Sequence, residues 1–363
     1  MEKRMKVLVC STAYPTLDGG RAMYYVHSRN IYYLKENIDV VVLNFRAEKN
    51  YSIDGISVIT LEEYKKNPIS ADLLICHAAN IRNHYTFLKK YGDLYKEKVF
   101  FVHGHEVLHI NKYYPEPYYY IKRSALKKKL QDLYDDYKIR TWRKYYLQNL
   151  DNIKIIFVSN WILNQFCSEF RIKKSDIEKS VAVIPNSVGE FFEHNSYALK
   201  EKKYDFLTIR NYLDGSNYCA DIVVDIAKNN PHYKFCIIGK GEFFKHYECP
   251  KNVTYIEKEL THDEMREYMD SSAYALLPTR EDTQGLMACE FATYGMPLIT
   301  SDIDVCKEVF DSCENVAFIS NKTPNIDIAM RKLQSNRSYD KWRKYFADNT
   351  IKKEIEFLKW LVL

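Results

Sequence analysis

Two carboxylates eight positions apart, Asp282 and Glu290, bracket the start of a predicted helix. The apolar run before them ends at Leu277-Pro278. A short loop then carries Arg280, Glu281, Asp282, Thr283 and Gln284 into Gly285. The helix runs from Leu286 to Tyr294, and Gly295-Met296-Pro297 ends it and starts the next strand. This layout offers two acceptors for sugar hydroxyls. Between them, the first N–H groups of the helix, around Gly285, Leu286 and Met287, lack intrahelical partners, and the helix dipole favours a phosphate there. Simple capping by Asp282 or Thr283 is the plainer alternative.

Other candidates lie at the ends of predicted strands. Asp18-Gly19-Gly20 follows the first strand and precedes a helix predicted over 21–36. Two glycines let backbone N–H groups approach a phosphate, although Gly-Gly is also an ordinary turn. His77 follows the run Leu73–Cys76. His103 and His105 flank Gly104 just after Val99–Val102. Asp302-Ile303-Asp304 has the spacing of some metal-dependent transferases, but its surroundings differ, and no metal site is expected. Gly239-Lys240-Gly241 lacks the third glycine of a dinucleotide fingerprint, because position 244 is Phe.

The elements that must position these residues repeat as strand, helix, strand. Strands are predicted over 6–10, 38–45, 56–61, 73–76, 99–102 and 153–158, then over 204–209, 235–239, 253–256, 274–277, 298–300 and 316–319. Continuous apolar runs are the mark of parallel strands covered on both faces. The repetition argues an α/β fold of doubly wound sheets, whose ligands bind beyond the carboxyl ends of the strands. The restart after 181–185 divides the chain. Domains are expected over 1–185 and 186–337, with an irregular linker near 186–202 and C-terminal helices over 338–363.

Composition narrows the class. The chain has 363 residues, enough for two domains, with 46% hydrophobic and 28% charged residues, which suits a folded protein. Its net charge of +5 is too mild to imply nucleic acid. Nine scattered cysteines form no Cys-x-x-Cys, so reduced thiols in a cytoplasmic protein are expected. No apolar run is long enough to span a membrane, and the N-terminal run Val7–Cys10 is too short for a signal peptide. Residues 111–150 differ from the rest: ten bases against four acids, with eight of the 31 tyrosines between Tyr113 and Tyr145. That segment is either a solvated face with tyrosines turned to the core or a surface for anionic head groups or a phosphate-bearing acceptor.

The 282–297 stretch resembles the signature of the retaining glycosyltransferases of family 4, which have the GT-B fold. That signature has a Glu, seven residues, a second Glu, then Ala and Gly-x-Pro, with Gly three positions after the first acid. Asp282 stands at the first acid, with Glu281 beside it as a rival, while Gly285 and Glu290 match. Asp18-Gly19-Gly20, Val102-His103-Gly104-His105-Glu106, Ile184-Pro185-Asn186 and Gly239-Lys240-Gly241 match in order, so the resemblance covers nearly the whole chain.

The resemblance implies two Rossmann-like domains facing a central cleft. It implies metal-independent transfer, with retention, from a UDP- or GDP-sugar to a glycan or lipid-linked glycan in bacterial surface polysaccharide synthesis. No cofactor is implied. Asp282, Glu290, His103 and Arg210 are the expected catalytic residues. Gly19, Gly20, Arg210, Asn217, Lys240, Glu281, Asp282, Thr283, Gln284, Gly285, Leu286, Met287 and Glu290 would bind the donor. His77 and His105 would face the acceptor. The family's usual lysine is missing after Arg210; Asn217 falls near its place, and Lys240 would substitute. Rival expectations are a non-catalytic GT-B binder of nucleotide sugar or glycan, and a related epimerase or phosphorylase. The expected location is cytoplasmic, with peripheral contact to the inner membrane face.

Overall fold

The structure, a computed structural model, describes residues 4–20, 22–335 and 341–362. It holds two compact units. The first comprises Met1–His109, Asp132–Ser187 and Ala347–Leu363; the second comprises Ile110–Gln131 and Val188–Phe346.

In the first unit eight strands form one sheet: β1 (Lys6–Ser11), β2 (Asp39–Asn44), β3 (Tyr51–Ile53), β4 (Ile56–Ile59), β5 (Leu73–His77), β6 (Glu97–Val102), β7 (Ile153–Phe157) and β8 (Val181–Val183). Their order is β3-β4-β2-β1-β5-β6-β7-β8. Among the described residues of this sheet, only the β3–β4 pair is antiparallel. Its turn is Asp54-Gly55, both at positive φ, the two-residue hairpin that matches strand twist. Val7, Val9, Leu73, Ile75, Val99 and Phe101 are buried in one cluster with Ile351, Ile355 and Leu358 of the C-terminal helix Ile351–Val362.

The second unit has six parallel strands: β9 (Tyr204–Tyr212), β10 (Phe235–Lys240), β11 (Val253–Ile256), β12 (Ser272–Leu276), β13 (Leu298–Ser301) and β14 (Val316–Ile319). Their order is β11-β10-β9-β12-β13-β14. Phe206, Ile237, Leu276 and Ile299 pack with Val223 and Ile226 of the helix Ala220–Asn229. Thr261 and Glu264 close a reciprocal capping box at the start of the helix His262–Met269. In each sheet the order reverses beside one strand, β1 in the first and β9 in the second. Those switch points are where doubly wound sheets bind ligands.

Several expectations are corrected. The first helix spans Tyr24–Lys35 rather than starting at 21, because Met23 takes a left-handed conformation just before it. Arg21 itself lies outside the described residues, as do the expected boundary at 337/338 and the first residues of the tail. The 186–202 linker contains a helix, Glu190–His194, whose Phe192 is buried. The basic segment 111–150, expected wholly in the first domain, divides between the units. Tyr118 is buried in the second unit's core and donates to Asp221 Oδ1 at 3.0 Å. Tyr120 stacks on His246 with centroids 4.1 Å apart. These aromatic contacts tie Ile110–Gln131 to the second unit.

Candidate active site

The second unit's site forms where β9 and β12 end. Arg210, near the end of β9, is 5% exposed. Its Nη2 donates to the Pro278 carbonyl at 2.8 Å, and its guanidinium lies 5.1 Å from the Tyr218 ring centroid. Its Nε has no partner. Burial lowers the Arg210 pKa, against the raising influence of Asp282. Gly239 lets the β10 backbone run close to β9 here: a Cβ there would sit 2.2 Å from the Arg210 carbonyl oxygen.

After β12 the chain is fixed on several sides. Thr279 N donates to Ser301 Oγ at 2.8 Å, and Thr279 Oγ1 to the Asn217 carbonyl at 2.9 Å. Arg280 grips both Asp221 oxygens, at 2.9 and 2.6 Å, and donates to the Ser216 carbonyl at 2.7 Å. Asp282 Oδ1 accepts from the backbone N–H of Thr283, Gln284 and Gly285 at 2.8, 3.3 and 2.6 Å. Gly285 takes φ +68° at the cap of the helix Leu286–Tyr294, a conformation that favours glycine. Two carboxyls stay protonated well above their usual range. Burial raises Glu290 to about 8. Burial, then the neighbouring Asp282, raises Glu281 to about 8. Glu281 Oε1 is buried without a hydrogen bond.

In the first unit, histidines cluster where β5 and β6 end. His77 Nδ1 and His103 Nε2 lie 3.1 Å apart. The His77 ring stacks on Phe101, and the Arg29 guanidinium lies 4.7 Å from the Phe101 centroid. Burial first, then the Arg29 charge, holds the pKa of both histidines well below the usual value. Glu106 accepts from the N–H groups of His103 and Gly104 and so fixes their turn. Arg29 is itself anchored by Glu354 at 2.8 and 2.9 Å and by Asn186 at 3.3 Å.

Residues 206–336 match the family model of glycosyl transferases group 1. This stretch of the chain is similar to group 1 glycosyl transferases. A curated relative, an uncharacterized glycosyltransferase of Methanocaldococcus jannaschii, is 23% identical over 339 residues, covering 88% of this chain and 86% of the relative. Sucrose-phosphate synthase from Thermosynechococcus elongatus superposes with a TM-score of 0.73 at 10% identity, over 99% of each chain. Anabaena HepE, solved in complex with UDP and glucose, superposes with a TM-score of 0.64 at 12% identity, over 98% of this chain and all of that one (100%). The fold is therefore GT-B, with two Rossmann-like α/β domains.

Within the second unit, Arg210, Asn217 and the Glu281–Gly285 loop come together. Leu286, Met287 and Glu290 follow on the first turns of the helix, all half-buried. Lys240 does not join them: its Nζ pairs with Glu259 at 2.9 Å on the exposed surface. In the first unit, Gly19 and Gly20 are exposed in a closed turn, with Thr16 N donating to the Gly20 carbonyl at 3.0 Å. His105 is exposed and His103 half-buried. His77, expected at the acceptor, is fully buried. A side chain without accessible surface cannot touch an acceptor, so its place is beside His103. Sequence reasoning missed Arg280, Glu106 and Arg29. The signal for Arg29 was a base amid the apolar positions of a helix, where burial demands a partner. Among the described residues, no group of three or more His, Cys, Asp or Glu is placed to hold a metal ion, and Asp302 pairs with Lys307.

Proposed function

We propose that the protein transfers a sugar, with retention at the anomeric carbon, from a UDP- or GDP-sugar to a glycan or lipid-linked glycan, in surface polysaccharide synthesis. The second unit takes the donor and the first takes the acceptor. The observation that carries this reading is the unpartnered Nε of buried Arg210, at the switch point β9–β12 and near Asp282. A buried donor without an acceptor fits an anionic ligand. Arg210 stabilises the leaving diphosphate where its charge develops. Glu290 holds the ribose hydroxyls. Asp282 uses one oxygen to fix the loop and offers the other to the sugar, with Glu281 beside it. The N–H groups at Leu286 and Met287 face the phosphates, while that of Gly285 is held by Asp282.

The bond from C1 to the diphosphate oxygen breaks as the acceptor oxygen bonds to C1 on the same face. The acceptor proton passes to the leaving diphosphate. No metal is needed, because Arg210 and the helix N-terminus supply the positive charge. Burial keeps His103 neutral in the unit that takes the acceptor.

A non-catalytic binder is the second reading, favoured by one observation: Lys240, the substitute for a second phosphate-binding base, is engaged by Glu259. A thermal-shift screen of nucleotide sugars tests the site. At least one donor should raise Tm, and Glu290→Ala should erase that rise while transfer is lost. Equal shifts in wild type and variant would remove Glu290 from the site.

A further inference from the structure

The helix Ala125–Gln148 has two apolar faces, and only one is covered. Ile139, Trp142 and Tyr146 are buried, and Lys138 Nζ is held by Asp135 and by the His105 and Leu108 carbonyls. The other face carries Leu126, Leu130, Leu133 and Tyr137, spaced four, three and four apart. They are 67%, 55%, 56% and 55% exposed. At about 100° per residue this spacing keeps all four within one narrow stripe. Tyr134, also exposed, borders it. A run of three leucines more than half open to water is uncommon on a surface without a partner.

Exposed bases frame the stripe. Lys127 lies on one side, Lys129 and Arg140 on the other, and Lys144 extends its line. The helix's acids are turned away or engaged: Asp132 lies farther round, Asp135 is buried against Lys138, and Asp136 bonds to His109 at 3.1 Å. Apolar side chains rimmed by lysine and arginine complement a surface that is apolar beneath and anionic on top. Pairing with a second copy through this face would oppose like charges.

We propose that this helix lies on a bilayer containing anionic phospholipid, with Leu126, Leu130, Leu133 and Tyr137 in the interfacial layer and the bases among the head groups. A helix of this kind rests in the plane of the interface rather than crossing it. Among the described residues no helix is long and apolar enough to span a membrane. The proposal needs no turnover and stands whether or not sugar transfer is the activity.

Co-sedimentation of the full chain with vesicles tests it. The protein should pellet with equal parts phosphatidylcholine and phosphatidylglycerol, stay in the supernatant with phosphatidylcholine alone, and release with salt. Binding should fall by at least about tenfold in Leu130→Ser/Leu133→Ser, and likewise in Lys127→Glu/Lys129→Glu. All four positions are exposed, and unchanged circular dichroism would confirm folding. If either double variant misfolds, Tyr137→Ser and Arg140→Glu replace it. Equal recovery in the supernatant with both vesicles would overturn the proposal. So would wild-type binding by the leucine variant. A dimer seen without lipid by analytical ultracentrifugation, and abolished by Leu130→Ser/Leu133→Ser, would make the stripe a self-interface instead.

Discussion

Arg210 Nη2 donates to the carbonyl of Pro278 at 2.8 Å. The bond joins the ends of the two neighbouring strands at which the second sheet reverses its order, and holds a buried cation there. Lysine would keep the charge but lose the planar fork. Arg210→Lys should therefore lower donor turnover by about 10²–10³-fold, the usual loss for one preorganised donor. The check is steady-state release of nucleoside diphosphate, with circular dichroism unchanged.

The raised pKa of Glu290 makes stability depend on pH. The folded protein keeps a proton up to about pH 8, whereas the unfolded chain releases it near 4.5. The folded state thus binds more protons within that window, so unfolding free energy falls as pH rises through it. Glu281 acts in the same direction. Glu290→Gln should be more stable than wild type above pH 8 and indistinguishable below 4.5, by urea unfolding across pH. A parallel pH dependence in both proteins would refute the assignment.

Asp282 accepts three backbone N–H bonds through one oxygen. Asp282→Ala should cost about 0.5–2 kcal/mol of stability, as the loss of a helix cap does, and should also weaken donor binding. Asp282→Asn keeps an oxygen for the cap. It should recover most of the stability in urea unfolding but only part of the affinity in calorimetry.

Arg29 and Glu354 form a buried pair linking the helix Tyr24–Lys35 to the C-terminal helix. Removing one partner leaves an uncompensated buried charge. Arg29→Met should destabilise by about 3–5 kcal/mol, and Arg29→Met/Glu354→Leu should be less damaging than the single change. Urea unfolding of the two variants decides it.

Much of this architecture was legible because parallel strands announce themselves as apolar runs. All six strands of the second unit fall where predicted, and the helix Leu286–Tyr294 matches at both ends, since Gly285 and Gly295 mark its limits. The β3 strand was missed: three residues give no periodicity, although Asp54-Gly55 was a readable hairpin signal. The fate of 111–150 was not legible. Local charge cannot tell which unit's core will accept Tyr118, because that depends on contacts a hundred positions away. The burial of His77 likewise depends on Phe101 and Arg29, brought to it only by the sheet. At the acid loop, sequence left Asp282 and Glu281 as rivals. The fold separates them by giving Asp282 the backbone bonds and leaving Glu281 Oε1 without one.

Proton NMR of donor cleavage tests the central claim most directly. The nucleotide sugar that raises Tm is incubated with the protein and EDTA, and the first sugar anomer released is recorded. The account predicts nucleoside diphosphate release without added metal, with the first-formed sugar keeping the donor's anomeric configuration, and with release lost in Glu290→Ala. Absence of cleavage, release of the opposite anomer first, or cleavage restored only by a divalent metal would contradict it.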